Sequence, residues 1–304
     1  MKKKIFITGG AGLLGSNLAI LLKKKYDVLI STHNQSQSPK IKKIVSEKVN
    51  LVSPSEIHNF FFKNKPDIVI HTAGLTNVNL CEEIPSQAKV QNVNIAKNIA
   101  NASIEHGAKL IHISSDHLFS GLQKLTDEGE PISPLNEYAR SKCKAEEEVL
   151  KIDSKCLIIR TNFYGWGPSY RRSFSDEIIY SLEKNIEVNL YNDIFYTPIL
   201  INSLAEPMID LAELNHSGIF NIVGSERVSK LEFGQRLSKT FKLDDSLIHE
   251  SSYFTNQLVI DKPRDMSLSN NKIEMILNRK IPTLDSDLSR LYQLRHTDLC
   301  QETF

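Results

Sequence analysis

Cysteine is scarce in these 304 residues: Cys81, Cys143, Cys156 and Cys300 lie far apart, with no Cys-x-x-Cys pair. That spacing excludes a zinc ribbon and offers no disulfide framework, so the thiols read as buried or incidental side chains in a reducing cytosol. An excess of one charge is also lacking. The 37 Lys and Arg against 36 Asp and Glu leave a formal net charge of +1. No broad field therefore gathers nucleic acid or an anionic membrane surface, and any bound anion must be caught by a local site. No segment reaches the ~20 uninterrupted apolar residues of a membrane span. Lys2, Lys3 and Lys4 before an apolar stretch imitate a secretory leader. Yet Gly9, Gly10, Gly12 and Gly15 interrupt the stretch, which ends in Lys23, Lys24 and Lys25 with no small-residue cleavage site. The expectation is a cytoplasmic protein with neither nucleic acid nor membrane as partner. Internal repeats and low-complexity tracts are absent, and the polar stretch His33–Lys43 reads as a loop.

What is present is an ordinary globular composition, 40% apolar and 24% charged, in a chain long enough for one large domain or two lobes. Short runs rich in Ile, Val and Leu at Lys4–Thr8, Asp27–Ser31, Asp67–Thr72, Lys109–Ser114 and Lys155–Arg160 read as strands buried on both faces, with a weaker candidate at Lys48–Val52. Helical patterns alternate with them at Leu13–Lys24, Pro54–Phe62, Ser86–His106 and Asn136–Leu150. This alternation predicts an α/β fold, a doubly wound parallel sheet with helices on both faces. After Arg160 the rhythm changes. The stretch Thr161–Tyr170 reads as a loop, followed by helices at Phe174–Lys184, Ile201–Leu214 and Lys230–Phe241 and strands near Glu187–Leu190 and Gly218–Ile222. Residues 1–162 are thus expected to form a dinucleotide-binding domain and 163–304 a smaller mixed lobe whose strands can rejoin the first sheet, with the site in the cleft between them.

The first strand runs into Gly9-Gly10-Ala11-Gly12-Leu13-Leu14-Gly15 and then a helical pattern. Glycines here let the backbone turn tightly and approach a pyrophosphate, and the helix N-terminus points N–H groups at its charge. A glycine motif alone is weak, but between a buried strand and a helix it is specific. The second strand ends at Ser31-Thr32-His33 with no Asp or Glu to hold a ribose 2′-hydroxyl. That absence permits the extra phosphate of NADP, which the three polar side chains can bond, and favours NADP(H) over NAD(H).

Tyr138 and Lys142 stand four residues apart on a predicted helix and so share a face. An ammonium beside a phenol is expected to lower the tyrosine pKa toward acid–base range. Ser115, at the end of a predicted strand, aims a hydroxyl at the same cleft. In this reading Ser115 bonds a reacting carbonyl, Tyr138 donates the proton as hydride arrives from a nicotinamide, and Lys142 also holds the nicotinamide ribose.

These motifs together resemble the extended short-chain dehydrogenases/reductases, most of all the dTDP-4-dehydrorhamnose reductase-like sugar-nucleotide reductases. The likeness covers nearly the whole chain. It runs through Thr8–Gly15, the segment His71–Val78, Asn92 on a helix, Ser115–Gly121, Ser133–Tyr138, Tyr196-Thr197-Pro198 and Lys262-Pro263-Arg264. The resemblance implies that Ala73, Gly74 and Asn92 join the cofactor site. It makes Thr76, Val78, Asp116, His117, Phe163 and Lys262 candidate substrate contacts, although packing accounts equally for Val78 and Phe163 and solvation for Lys262.

Related sugar-nucleotide dehydratases place Asp-Glu after the Ser/Thr, and epimerases place small residues there. Asp116-His117 matches neither, so ketone reduction fits best. His117, Asn79 and Phe163 depart from the family's tyrosine, aspartate and tryptophan, so the sugar need not be rhamnose. The resemblance implies a reductase of a nucleotide-linked 4-keto (6-deoxy) sugar for surface polysaccharide, and a homodimer would suit the family. Two alternatives stay open. One is another nucleotide-sugar reductase or epimerase, and the other is a cofactor-binding regulatory subunit resembling the methionine adenosyltransferase β subunit.

Overall fold

The computed structural model describes residues 2–32, 44–168, 170, 172–253 and 260–295. Seven parallel strands form the main sheet: β1 (Lys4–Thr8), β2 (Asp27–Thr32), β3 (Val45–Lys48), β4 (Ile68–His71), β5 (Lys109–Ile113), β6 (Leu157–Arg160) and, at the edge beside β6, Gly218–Asn221. The spatial order is β3-β2-β1-β4-β5-β6 followed by Gly218–Asn221. The chain therefore leaves β1 in one direction and returns to its other side at β4. The carboxyl ends of β1 and β4 bound the crevice where such sheets hold ligands.

The expected parallel sheet is present, with four of the first five strands shifted by a residue or two. The weak strand expected at Lys48–Val52 lies earlier, at Val45–Lys48, where its backbone pairs in register with Leu29–Thr32. The expected strand Gly218–Ile222 does join the first sheet, with Gly218 opposite Leu157 and Asn221 opposite Arg160. The polar stretch around His33 lies outside the described residues.

The sheet is buried on both faces because alternate side chains of each strand feed separate cores. Ile5, Ile7, Ile68, Ile70, Ile111 and Ile159 pack under the helices Leu13–Leu22 and Ile201–Glu213. Phe6, Val69, Leu110 and Ile158 pack under Pro54–Asn64, Ile95–Glu105 and Glu137–Ile152. Each such side chain contributes about 1.5–3 kcal/mol by leaving water. A third core, built on Phe233, Leu237, Tyr196, Leu190 and Leu288, draws all its residues from the chain beyond β6. There the helix Leu284–Leu294 and the parallel pair Val188–Tyr191 and Ile248–Ser251 complete the packing.

The helix expected as one piece over Ser86–His106 is three: Pro85–Ala88, a π-helical turn Lys89–Asn94, and Ile95–Glu105. The wide turn brings Asn92 inward to the cleft, a use to which such bulges are often put. No helix among the described residues is long and apolar enough to cross a membrane.

The helix Glu137–Ile152 is clamped to the sheet by a buried ion pair. Arg160 of β6 is 1% exposed, and its Nη2 lies 2.8 Å from Glu146 Oε2, with Nε 3.1 Å from Oε1. Removing one partner leaves the other charge buried and uncompensated, which costs about 3–5 kcal/mol. Glu146→Ala is therefore expected to lower unfolding stability by that amount in urea denaturation. A loss below about 1 kcal/mol, the level of a surface pair, contradicts the clamp.

Candidate active site

Backbone geometry builds the first part of the site. After β1, Gly9 turns through φ +68° and its carbonyl accepts the Gly12 N–H at 2.8 Å, closing a tight loop. A Cβ on Gly15 would stand 2.4 Å from that same carbonyl oxygen, so only glycine lets the helix start this close to the turn. Gly12 caps the Leu13–Leu22 helix without any side-chain bond. The N–H groups of the first turn, with the positive end of the helix dipole, are thus free for a pyrophosphate.

Next to the loop, Thr8 Oγ1 accepts the N–H groups of Thr72 (3.1 Å) and Ala73 (3.2 Å) and meets His71 Nδ1 at 2.7 Å. Burial, with the Lys142 charge nearby, pulls His71 down to about 3, so the ring stays neutral at this junction. Asn92 accepts the Leu75 N–H at 2.7 Å and donates to Leu75 O (3.0 Å) and Ser141 Oγ (2.8 Å). Expected as a cofactor contact, Asn92 lines the cleft and spends its polar atoms holding the loop after Gly74 to the helix Glu137–Ile152.

On one side of this loop a pocket of about 410 Å³ is lined by Gly9, Gly12, Ser31 and Thr32 and by neutral side chains including Asn50, Gln87 and Gln91. The hydroxyls of Ser31 and Thr32 are buried there with no partner among the described residues. Orphaned donors beside a glycine turn fit the ribose end of a dinucleotide. His33, expected as their neighbour in this role, lies outside the described residues.

On the other side a cleft of about 350 Å³ brings together Gly12, Leu13, Leu14, Gly15, Ala73, Gly74, Thr76, Val78, Asn92, Ser115, Asp116, His117, Tyr138, Lys142 and Phe163. Val78 and Phe163 reach the cleft while also packing against cores, so both of their expected roles meet. Ser115 and Tyr138 line the cleft together, and the Ser115 hydroxyl acts to lower the Tyr138 pKa. That hydroxyl also donates to Asp116 Oδ1 at 3.3 Å and accepts the His117 N–H at 3.2 Å. The His117 ring meets Tyr138 edge to face, with centroids 5.6 Å apart. Lys262 lies farther out, in a third pocket of about 270 Å³ that shares His117 and Asn162 with the cleft. The three pockets stand in a row as one trough-like line, each sharing lining residues with the next: Gly12 and Thr72–Leu75 between the first two, His117 and Asn162 between the last two.

The electrostatics differ from the expectation that Lys142 lowers the Tyr138 pKa. Burial pushes the phenol up to about 12, with the Ser115 hydroxyl working against this and Asp116 adding to it. The Lys142 ammonium donates instead to the Ile113 carbonyl at 2.7 Å, and burial lowers it to about 8 against the pull of Glu146. Tyr138 is thus a protonated donor at neutral pH. His117 is also held down, by burial first, against the Asp116 charge and with Lys230 and Lys262 adding to the effect.

Residues 2–296 match the family described as RmlD substrate binding domain. The chain belongs to that family. It is 27% identical over 290 residues to the probable low-salt glycan biosynthesis reductase Agl14 of Haloferax volcanii, covering 94% of this chain and 96% of that one. It is 26% identical over 286 residues to methionine adenosyltransferase 2 subunit beta of Bos taurus, covering 90% and 82%. The fold superposes on the dTDP-4-dehydrorhamnose reductase of Yersinia enterocolitica with a TM-score of 0.81 at 26% identity, covering 96% and 99%.

Sequence reasoning overlooked three residues of the trough. Asn162 donates to Asp116 Oδ2 at 2.5 Å, and Arg172 and Lys230 line its walls. Asn162 was legible only as part of a loop. Lys230 stands at the start of an amphipathic helix, where a cation ordinarily reads as solvated.

Gly15→Ala tests the cradle. The added methyl meets backbone rather than a flexible side chain, so dinucleotide affinity in a fluorescence titration is expected to fall at least about tenfold, or 1.4 kcal/mol. Unchanged affinity contradicts the cradle.

Proposed function

We propose that this protein is a nicotinamide-dinucleotide-dependent reductase of a nucleotide-linked 4-keto (6-deoxy) sugar, serving surface polysaccharide synthesis, with NADP(H) favoured over NAD(H). The observation that carries the reading is the convergence of Ser115, Tyr138 and Lys142 on the cleft that continues the glycine cradle. In this reading residues 1–162 supply the dinucleotide side and 163–304 the substrate side. Similarity to a glycan biosynthesis reductase and to a dTDP-4-dehydrorhamnose reductase supports the class of reaction.

The backbone of Gly12–Gly15 would hold the pyrophosphate, Ser31 and Thr32 the adenosine ribose or its phosphate, and Lys142 the nicotinamide ribose. The preference for NADP(H) rests on the pocket at Ser31 and Thr32, where no carboxylate among the described residues stands to repel a 2′-phosphate. When bound, the dinucleotide supplies hydride to the keto carbon. Ser115 hydrogen-bonds the carbonyl oxygen, and Tyr138 holds the proton at its Oη until the oxygen gains charge and takes it. A phenol near 12 suits this direction, because it stays protonated throughout the neutral range. Asp116, kept in place by Asn162, lacks the glutamate neighbour that an elimination of water needs. A regulatory reading has one observation in its favour, the similarity to the methionine adenosyltransferase subunit. Co-purification of a partner enzyme with no turnover of any keto sugar selects it.

Tyr138→Phe is expected to abolish NADPH consumption with nucleotide-linked 4-keto-6-deoxy sugars, by at least about 100-fold as for a lost general acid, while leaving dinucleotide affinity nearly unchanged. Equal turnover in both proteins contradicts the role of Tyr138. A second expectation concerns pH. Lys142 carries its charge below about 8 and loses it above, whereas Tyr138 keeps its proton to much higher pH. Activity measured as kcat/KM should therefore fall as pH rises through about 8. A profile flat to pH 10 contradicts a role for the ammonium.

A further inference from the structure

Away from the cleft, nitrogen and oxygen ligand atoms gather between the helices Pro54–Asn64 and Ile95–Glu105. The two helices pack on one face of the sheet through Ile57, Phe60, Phe61, Ile99 and Ala102. His58 lies on the exposed side of the first helix, Glu105 ends the second, and His106 is its cap. His58 Nδ1 stands 3.3 Å from Glu105 Oε1. The His58 and His106 rings have centroids 5.0 Å apart. One ligand atom from each of the three residues lies within 4.8 Å of the other two. Among the described residues no other group of three His, Cys, Asp or Glu side chains is so placed.

His106 supplies a second observation. Its ring packs on Phe61, with centroids 5.6 Å apart, and its Nε2 is buried with no partner among the described residues. A buried nitrogen left unbonded is costly, and the side chains beside it are metal ligands by type. Two imidazoles and a carboxylate suit a borderline-soft divalent ion such as Zn²⁺, whereas Mg²⁺ and Ca²⁺ call for oxygen ligands. Around tetrahedral Zn²⁺, with bonds of about 2.0–2.2 Å, neighbouring ligand atoms stand roughly 3.3–3.6 Å apart. The spacing of His58 and Glu105 already has that value. The wider separations close by rotation of these two side chains, which are 47% and 57% exposed.

The geometry points to a divalent transition-metal site of the zinc class formed by His58, Glu105 and His106, with a fourth position open to water. Its place in the fold makes it structural. His106 leads through Gly107 to the amino end of β5, whereas the cleft lies at the carboxyl ends of the strands. An ion held there touches neither dinucleotide nor keto sugar, and it ties the Pro54–Asn64 helix to the end of its neighbour. Only the folded chain brings His58 to Glu105 and His106, so binding adds to folding stability by mass action. The site stands whether or not the protein reduces a keto sugar.

The experiment is calorimetric titration of the full chain, first freed of metal with a chelator, with Zn²⁺ and separately with Mg²⁺. Wild type is expected to bind Zn²⁺ but not Mg²⁺, and its Tm to rise with Zn²⁺ concentration. His58→Ala, Glu105→Ala and His106→Gln should each weaken Zn²⁺ binding at least about tenfold and abolish most of the rise in Tm. His58 and Glu105 are exposed, so their variants carry the test should His106→Gln fail to fold. His249→Ala is the control, because His249 meets Glu187 at 3.4 Å in an exposed pair with no third ligand among the described residues. It should bind Zn²⁺ as wild type does, and dinucleotide affinity should be the same in every variant. No Zn²⁺ bound by wild type, or affinity within about twofold of wild type in His58→Ala and Glu105→Ala, overturns the inference. An equal loss in His249→Ala overturns it too.

Discussion

The buried pair between Arg160 and Glu146 is the contact on which the rest of the site depends. It joins β6 to the helix Glu137–Ile152 where both are out of water, and so sets how far that helix lies above the carboxyl ends of the strands. Two neighbouring bonds share the task. Lys142 reaches down to the carbonyl of Ile113 at the end of β5, and Ser141 receives Asn92 from the π-helical turn. Tyr138 lies one turn above Lys142 on the same face and inherits its position from all three. Charge pairs of this kind add little net stability, yet losing either member leaves a buried charge uncompensated.

Once the helix is placed, burial dominates the chemistry. The same exclusion of water that raises Tyr138 lowers Lys142, His117 and Lys230, which brings the lysines close to neutral pH while the phenol stays protonated. Groups pushed apart in this way suit proton donation to a carbonyl by the phenol. The trough divides accordingly. Its inner part is walled by the ends of β1, β4 and β5 and by the helix Glu137–Ile152 with Tyr138 and Lys142, and its outer part carries Lys230 and Lys262. Tyr170 ties the two walls together by donating from its hydroxyl to the Ala11 carbonyl at 2.7 Å, within the glycine loop.

Much of this was legible from residue pattern because the cues are local. The Ile- and Val-rich runs mark doubly buried strands, and Gly9–Gly15 can serve only where a helix starts against a turn. The four-residue spacing of Tyr138 and Lys142 fixes their shared face. What escaped the sequence depends on contacts distant along the chain or on electrostatics. The π-helical turn at Lys89–Asn94 leaves no mark in the apolar periodicity. The phenol's high pKa reflects the depth of its burial, and Lys142 turns to a backbone carbonyl that no spacing rule reveals. Lys230 reads as an ordinary helix-start cation until Tyr196, Phe174 and Asp116 are folded around it.

The central claim is that the cleft at Ser115 and Tyr138 delivers a hydride and a proton to one carbonyl. It is tested most directly by following the isotope. The protein would be given NADPH deuterated at the transferable position of the nicotinamide and a nucleotide-linked 4-keto-6-deoxy sugar, and the product read by mass spectrometry and NMR. One deuterium on the former keto carbon, in a single configuration and absent from the Ser115→Ala and Tyr138→Phe products, is the result predicted. A bound but unconsumed dinucleotide, with no label in any sugar tested, contradicts it.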